Sequence, residues 1–291
     1  MRIATSQMFD RPSSLMASLT QKADALQTQI STGKKFTAPS QDVAAYAQLQ
    51  SLARADMDGS AYAANVKLAQ GALAQADSTL DSIGTQLQQA QELALQAANG
   101  TLTAANRATI ATSLGAITDQ LLALANTNDL RGQPMFGGAN GSTPYVKGAD
   151  GSIAYTDSGQ AAPIPIGDTD SVVTNVSGDR AFGDMFATIK ALSDSLSSGG
   201  GVPSDTLAKL SSATESVSAA RASVGARALR VDLVADQQDS SKVDRAGRRL
   251  DLEATDITAT VTELQKTLTI LQATQASFTK LTSMSLFDYL R

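Results

Sequence analysis

Ten apolar residues between Val66 and Ala97 follow one another at alternating steps of three and four: Val66, Ala69, Leu73, Ala76, Leu80, Ile83, Leu87, Ala90, Ala94 and Ala97. This is heptad spacing, and it draws one narrow apolar line along one side of a helix. Such a line must be laid against another element, because isolated helices are marginal in water. Ile110, Leu114, Ile117, Leu121 and Leu124 repeat the pattern after an Asn99-Gly100 turn signal. Residues 41–98 and 104–128 therefore read as two helices of an antiparallel hairpin. The chain ends carry the same kind of line. Leu15, Leu19, Leu26 and Ile30, with Ala23 between them, predict a helix over residues 12–30. Ser31-Thr32-Gly33 stops it, since glycine tolerates the left-handed conformation that ends a helix. Pro39-Ser40 opens the next one, with Ser40 as N-cap and Asp42 in the first turn. At the other end Val243, Leu250, Ile257, Leu264, Leu271 and Phe278 recur every seven residues, and Ala254, Val261 and Leu268 form a companion set.

The middle of the chain is different. From Arg131 to about Gly183 it is rich in Gly, Pro, Asp, Ser and Thr. Short apolar stretches, Ile153-Ala154-Tyr155-Thr156, Ile164-Pro165-Ile166 and Val172-Val173-Thr174, predict brief strands. Pro163 and Pro165 confine their strand to an edge or a bulge. Helix returns near Phe182 with Met185, Ile189, Leu192 and Leu196, and Gly199-Gly200-Gly201 breaks it. A long helical pattern then runs over residues 204–284, with an interruption expected near residues 239–242. The predicted fold is mainly α, with long antiparallel coiled-coil-like helices from both chain ends and a small β-rich insert in the middle. Residues 1–40 and 250–291 are expected to form terminal helices, 41–135 and 182–249 a helical core domain, and 136–181 an exposed insert.

Composition narrows the function. The 291 residues include no Cys and no His. That removes disulfides, thiolate metal sites, Ser-His-Asp triads and imidazole bases, so an enzyme is not expected. A net charge of −5 argues against nucleic acid as partner. No run approaches a membrane span of about 20 apolar residues. Met1-Arg2-Ile3-Ala4-Thr5-Ser6-Gln7 lacks the apolar core of a secretory signal, so the chain is expected to be soluble or to leave the cell by a route that reads no cleavable signal. Neither Gly137-Gly138 nor Gly199-Gly200-Gly201 has phosphate-loop spacing, and Phe136-Gly137-Gly138 reads as the turn from helix into insert. Asp150, Asp157, Asp168 and Asp170 lack calcium-loop spacing, so no metal or cofactor is expected. Arg245, Arg248 and Arg249, near Asp251, Glu253 and Asp256, admit two readings, an axial contact or a solvated mixed-charge face.

Several segments resemble the bacterial flagellin superfamily. Leu26-Gln27-Thr28-Gln29-Ile30-Ser31-Thr32-Gly33-Lys34-Lys35-Phe36 through Asp42 resembles the stretch after the family's first helix, departing from it at Gln41, where an acid is usual. Arg221-Ala222-Ser223-Val224-Gly225-Ala226-Arg227 resembles its Arg, apolar-Gly-Ala, Arg segment, and Asp256-Ile257 with the following heptads resembles its terminal helix. Met1-Arg2-Ile3-Ala4-Thr5, Arg131 to Gly138 and Ser285-Leu286-Phe287-Asp288-Tyr289-Leu290 are similar to segments of the family member that joins hook to filament.

The resemblance implies a non-enzymatic structural subunit of the extracellular flagellum, exported unfolded by the type III route. Its partners would be further copies of itself, a neighbouring hook-associated protein, flagellin, and an export chaperone on the C-terminal helix. The assembly interface expected from it comprises Leu15, Leu19, Leu26, Ile30, Ile257, Val261, Leu264, Leu268, Leu271, Phe278, Leu286 and Leu290. For Val243 and Leu250 an intramolecular core and a contact between copies both stay open, whereas Leu264, Leu271 and Phe278 are expected between copies. Rival readings are a filament flagellin or minor flagellin, a surface homologue binding polysaccharide through the insert, and an enzyme carried in the insert.

Overall fold

The computed structural model describes residues 2–138, 141–156 and 162–289. It contains α1 (Arg2–Thr32), α2 (Val43–Ala97), α3 (Ala104–Ala125), β1 (Tyr145–Lys147), β2 (Ile153–Tyr155), β3 (Ile164–Pro165), β4 (Ser171–Val172), α4 (Gly178–Phe182), α5 (Met185–Ser197), α6 (Thr206–Glu253) and α7 (Ile257–Tyr289). The chain is mainly helical with a small β insert at its middle, as the pattern predicts. It divides into two compact units, one of Met1–Met57 with Ser241–Arg291, the other of Asp58–Ser240.

The second unit holds the hydrophobic core. All ten residues of the heptad line on α2 are buried there, from Val66 to Ala97. Ile110, Leu114, Ile117 and Leu121 of α3 join them, while Leu124 packs at the margin. Each fully buried Leu or Ile contributes about 1.5–3 kcal/mol. Thr103 starts α3 by accepting the amide of Asn106 on its side chain. On average α3 is apolar enough, and long enough, to cross a membrane, against the sequence reading that no run comes close. Its apolar face is spent on this core and on α5, whose Ile189, Leu192 and Leu196 are also buried. Along α2 and α6 the paired positions run in opposite directions. Gln91 meets Thr214, Asp77 meets Arg221, and Gln70 meets Asp232.

The insert consists of two antiparallel hairpins, β1 with β2 and β3 with β4. Every strand is therefore an edge strand, which accommodates Pro165. The chain has few aromatic residues, and five of them gather at the base of the insert. Phe136 and Phe182 meet edge to face at 4.9 Å, and Tyr145 lies 5.1 Å from Phe186 and 5.2 Å from Tyr155. Gly178 lets the backbone come this close: a Cβ there would sit 2.8 Å from the Phe136 carbonyl oxygen and 2.9 Å from the Tyr145 ring. The Gly178 amide donates to that same carbonyl at 3.0 Å. The β3–β4 hairpin is tied to both long helices. Asn65 donates to the Pro165 carbonyl at 2.8 Å, Arg230 pairs with Asp170 at 2.9 Å, and Gln238 donates to the Ile166 carbonyl.

Three boundaries differ from the sequence reading. First, α1 begins at Arg2 rather than near Pro12, and Pro12 lies inside it. Second, the N-cap of α2 is Asp42, not Ser40, since Asp42 Oδ1 accepts the Ala45 amide at 2.9 Å. Third, residues 239–242 are helical, and the break between α6 and α7 falls at residues 254–256. The break coincides with backbone bonds to the α1–α2 connection. Lys35 N donates to the Glu253 carbonyl at 2.7 Å, and Thr255 N donates to the Gly33 carbonyl at 3.0 Å. Gly33, with φ +68°, makes the turn that ends α1.

Candidate assembly interface

The first unit is built on α1 and α7, which pack together. They run antiparallel: Lys22 Nζ reaches Glu263 Oε1 at 2.6 Å, and Lys34 Nζ reaches Glu253 Oε2 at 3.1 Å. On α1 the less exposed of the described side chains include Pro12, Met16, Leu19, Ala23, Leu26 and Ile30. On α7 they include Thr260, Leu264, Thr267, Leu271, Thr274 and Phe278. Both rows step by four and three, so two heptad seams meet.

Those rows sort the residues of the expected interface. Leu19, Leu26, Ile30, Leu264, Leu271 and Phe278 lie half-buried in the seam rows, and Val261 is half-buried beside them. Leu15, Ile257 and Leu268 stand out at 49%, 54% and 41% exposure. The side chain of Leu286 and the whole of Leu290 lie outside the described residues. Sequence reading did not single out Ile270, also exposed on α7, or Val43 and Met57 at the start of α2. Val243 and Leu250 are 70% and 65% exposed, which removes the reading of an intramolecular core there.

The charges near the seam are organised. Asp56 on α2 takes Arg245 Nε at 2.7 Å and also pairs with Arg249. The hydrogen bond from Arg245 holds the Asp56 carboxyl below the usual aspartate range against the opposing effect of burial. This pairing replaces the solvated-face reading for Arg245 and Arg249, and it is made within the chain. Glu263 is likewise lowered, by its hydrogen bond with Lys22. Asp256 caps α7 by accepting the Ala259 amide at 3.0 Å. Among the described residues no cluster of carboxylates is placed to hold a metal ion. A cavity of about 620 Å³ lies in the other unit beside Arg180 and Arg227. Arg227 is occupied there, donating to the Val173 and Asn175 carbonyls at 3.0 and 2.7 Å.

Paired terminal helices, a helical core and a mid-chain β insert make up a flagellin-like fold. Residues 3–141, just under half of the chain, match the bacterial flagellin N-terminal helical region, and the chain resembles the bacterial flagellin superfamily. The chain is 38% identical over 138 residues to flagellar hook-associated protein 3 of Salmonella typhimurium, covering 47% of this chain and 44% of that protein. It is 28% identical to the Escherichia coli protein of the same name, covering 89% of this chain and 90% of that one. The alignment thus spans less than half of the Salmonella relative and nearly all of the Escherichia one. In fold it is similar to a putative flagellar hook-associated protein from Vibrio parahaemolyticus (TM-score 0.66, 19% identity, 74% of this chain and all of that one). It is also similar to flagellar hook-associated protein 3 from Legionella pneumophila (TM-score 0.64, 15% identity, 70% of this chain and 98% of that one).

Proposed function

We propose that the chain is a structural subunit of the bacterial flagellum that joins hook to filament and polymerises through α1 and α7. The observation that carries this reading is the terminal pair itself. It leaves Leu15, Ile257 and Leu268 exposed, and the large apolar residues of the seam beside them, Leu19, Leu26, Leu264, Leu271 and Phe278, are only half-buried. A head-to-tail contact that does not close generates an open helical array, and neighbouring copies would cover these residues. Its relatives are named as hook-associated protein 3, which favours the junction over a filament flagellin or a polysaccharide-binding homologue.

The partners in this reading are further copies, a neighbouring hook-associated protein on one side and flagellin on the other, with an export chaperone on the C-terminal helix before assembly. The site of action in this reading is the extracellular flagellum. No catalytic role is assigned: the chain works by folding and burying surface. Deleting the gene in a flagellated host tests the proposal. Hooks should remain on the cells while unpolymerised flagellin collects in the medium. Full-length filaments on the deletion strain would refute it.

A further inference from the structure

Two guanidinium groups line the cavity of the second unit, those of Arg180 and Arg227. Arg180 sits on α4, exposed, with no hydrogen-bond or ion-pair partner among the described residues. Arg227 is half-buried on α6. Its Nη1 donates to the Val173 and Asn175 carbonyls, and its Nη2 donates to Ser223 Oγ at 3.2 Å. These bonds hold the guanidinium plane in place but bring it no negative charge. Nε–H and one Nη2–H are left over.

The neighbouring arginines of α6 show what is missing. Arg221 meets Asp77 and Asp81, and Arg230 meets Asp170. Arg227, more covered than either, meets no carboxylate among the described residues. Burial pushes its guanidinium below the usual range, with no acid beside it to oppose the shift. A covered charge without a counter-charge is costly, and a bound anion relieves that cost. The nearest acid in sequence to Arg180 is Asp179, which acts on Tyr145 and is not part of the cavity wall.

The rest of the wall selects among anions. The volume of about 620 Å³ is that of a ligand-sized cavity, larger than a lone carboxylate needs. Its described lining has no aromatic ring, so a base or sugar ring has no plate to stack on. Ser177 and Ser216 offer hydroxyls, and Ser177 makes no capping bond. Val176, Ala181 and Ala219 supply small apolar walls.

We propose that this cavity receives an acidic side chain carried on a peptide segment of a protein partner. Arg227 supplies the fixed fork for the carboxylate, and Arg180 adds an exposed charge at the rim. The serines and small apolar residues meet the segment around it. The inference goes beyond the hook–filament reading and does not depend on it.

The test uses the full-length purified chain in dilute, low-salt solution. A short, capped, fluorescently labelled peptide of alternating alanine and glutamate is titrated and its anisotropy followed. The counterpart with glutamine in place of glutamate is the control. The acidic peptide should bind saturably, the glutamine peptide should not, and added salt should weaken binding. Arg180→Glu should weaken it about tenfold and leave thermal unfolding unchanged, because that side chain is exposed. Arg227→Lys, which keeps the charge and loses the fork, should weaken it as well. No saturable binding of the acidic peptide, or equal binding by the Arg180→Glu variant, overturns the proposal. Binding of an acidic oligosaccharide where the peptide does not bind also overturns it. Because a single chain is assayed without flagellar partners, either result is separable from the junction reading, which the gene deletion tests.

Discussion

Lys22 Nζ lies 2.6 Å from Glu263 Oε1, joining side chains 241 positions apart in sequence. The contact shows how the fold uses its ends: the first and last helices of the chain lie side by side, and the hydrophobic core belongs to a separate unit. It also gives the terminal pair a pH dependence. The folded values of Glu263 and Asp56 both lie below their ordinary ones, 4.5 and 3.8. Their contribution is therefore complete above those values and is lost as pH falls through the lowered ones. Both groups remain partly exposed to solvent, so the effect is small. Circular dichroism of the first unit's helices should weaken below about pH 4.5, and Glu263→Gln should flatten the upper part of that change.

Leu268→Asp should leave the isolated chain as stable as the parent, within about 0.5 kcal/mol, because the side chain is exposed. In a deletion strain the variant should be secreted but fail to restore filaments. Normal motility with this variant would remove Leu268 from the interface.

Gly178→Ala forces a Cβ to within 2.8 Å of the Phe136 carbonyl and 2.9 Å of Tyr145. Relief requires moving backbone or a buried ring, so the variant should lose about 1–3 kcal/mol in thermal unfolding. The cooperative transition of the second unit should shift, since the insert is anchored to its core.

Leu80→Ala opens a cavity at a fully buried position on the α2 line and should cost about 2–5 kcal/mol. Asp56→Asn, which frees Arg245 and Arg249, should cost only about 1 kcal/mol because the pair is partly solvated. The contrast places the stability of this chain in its second unit, and chemical denaturation of the two variants measures it.

The heptad line on α2 was legible because its apolar residues sit in a helix that is polar elsewhere, and burial of one face follows from that alone. The strands of the insert were legible from short apolar runs between turn residues. The break in the last third was not. Residues 239–242 look like an interruption but continue the helix, while the break at residues 254–256 coincides with backbone bonds to Gly33 and from Lys35. No local pattern announces a partner more than 200 residues away. The seam has the same character. The repeat shows that α7 carries more apolar residues than one face needs, but which of them meet α1 depends on the register set by Lys22, Lys34 and their glutamates.

Immunogold labelling of this chain on intact flagella tests the central claim most directly. The account predicts a single labelled position where the hook meets the filament. Label distributed along the filament would contradict it and make the chain a filament subunit instead.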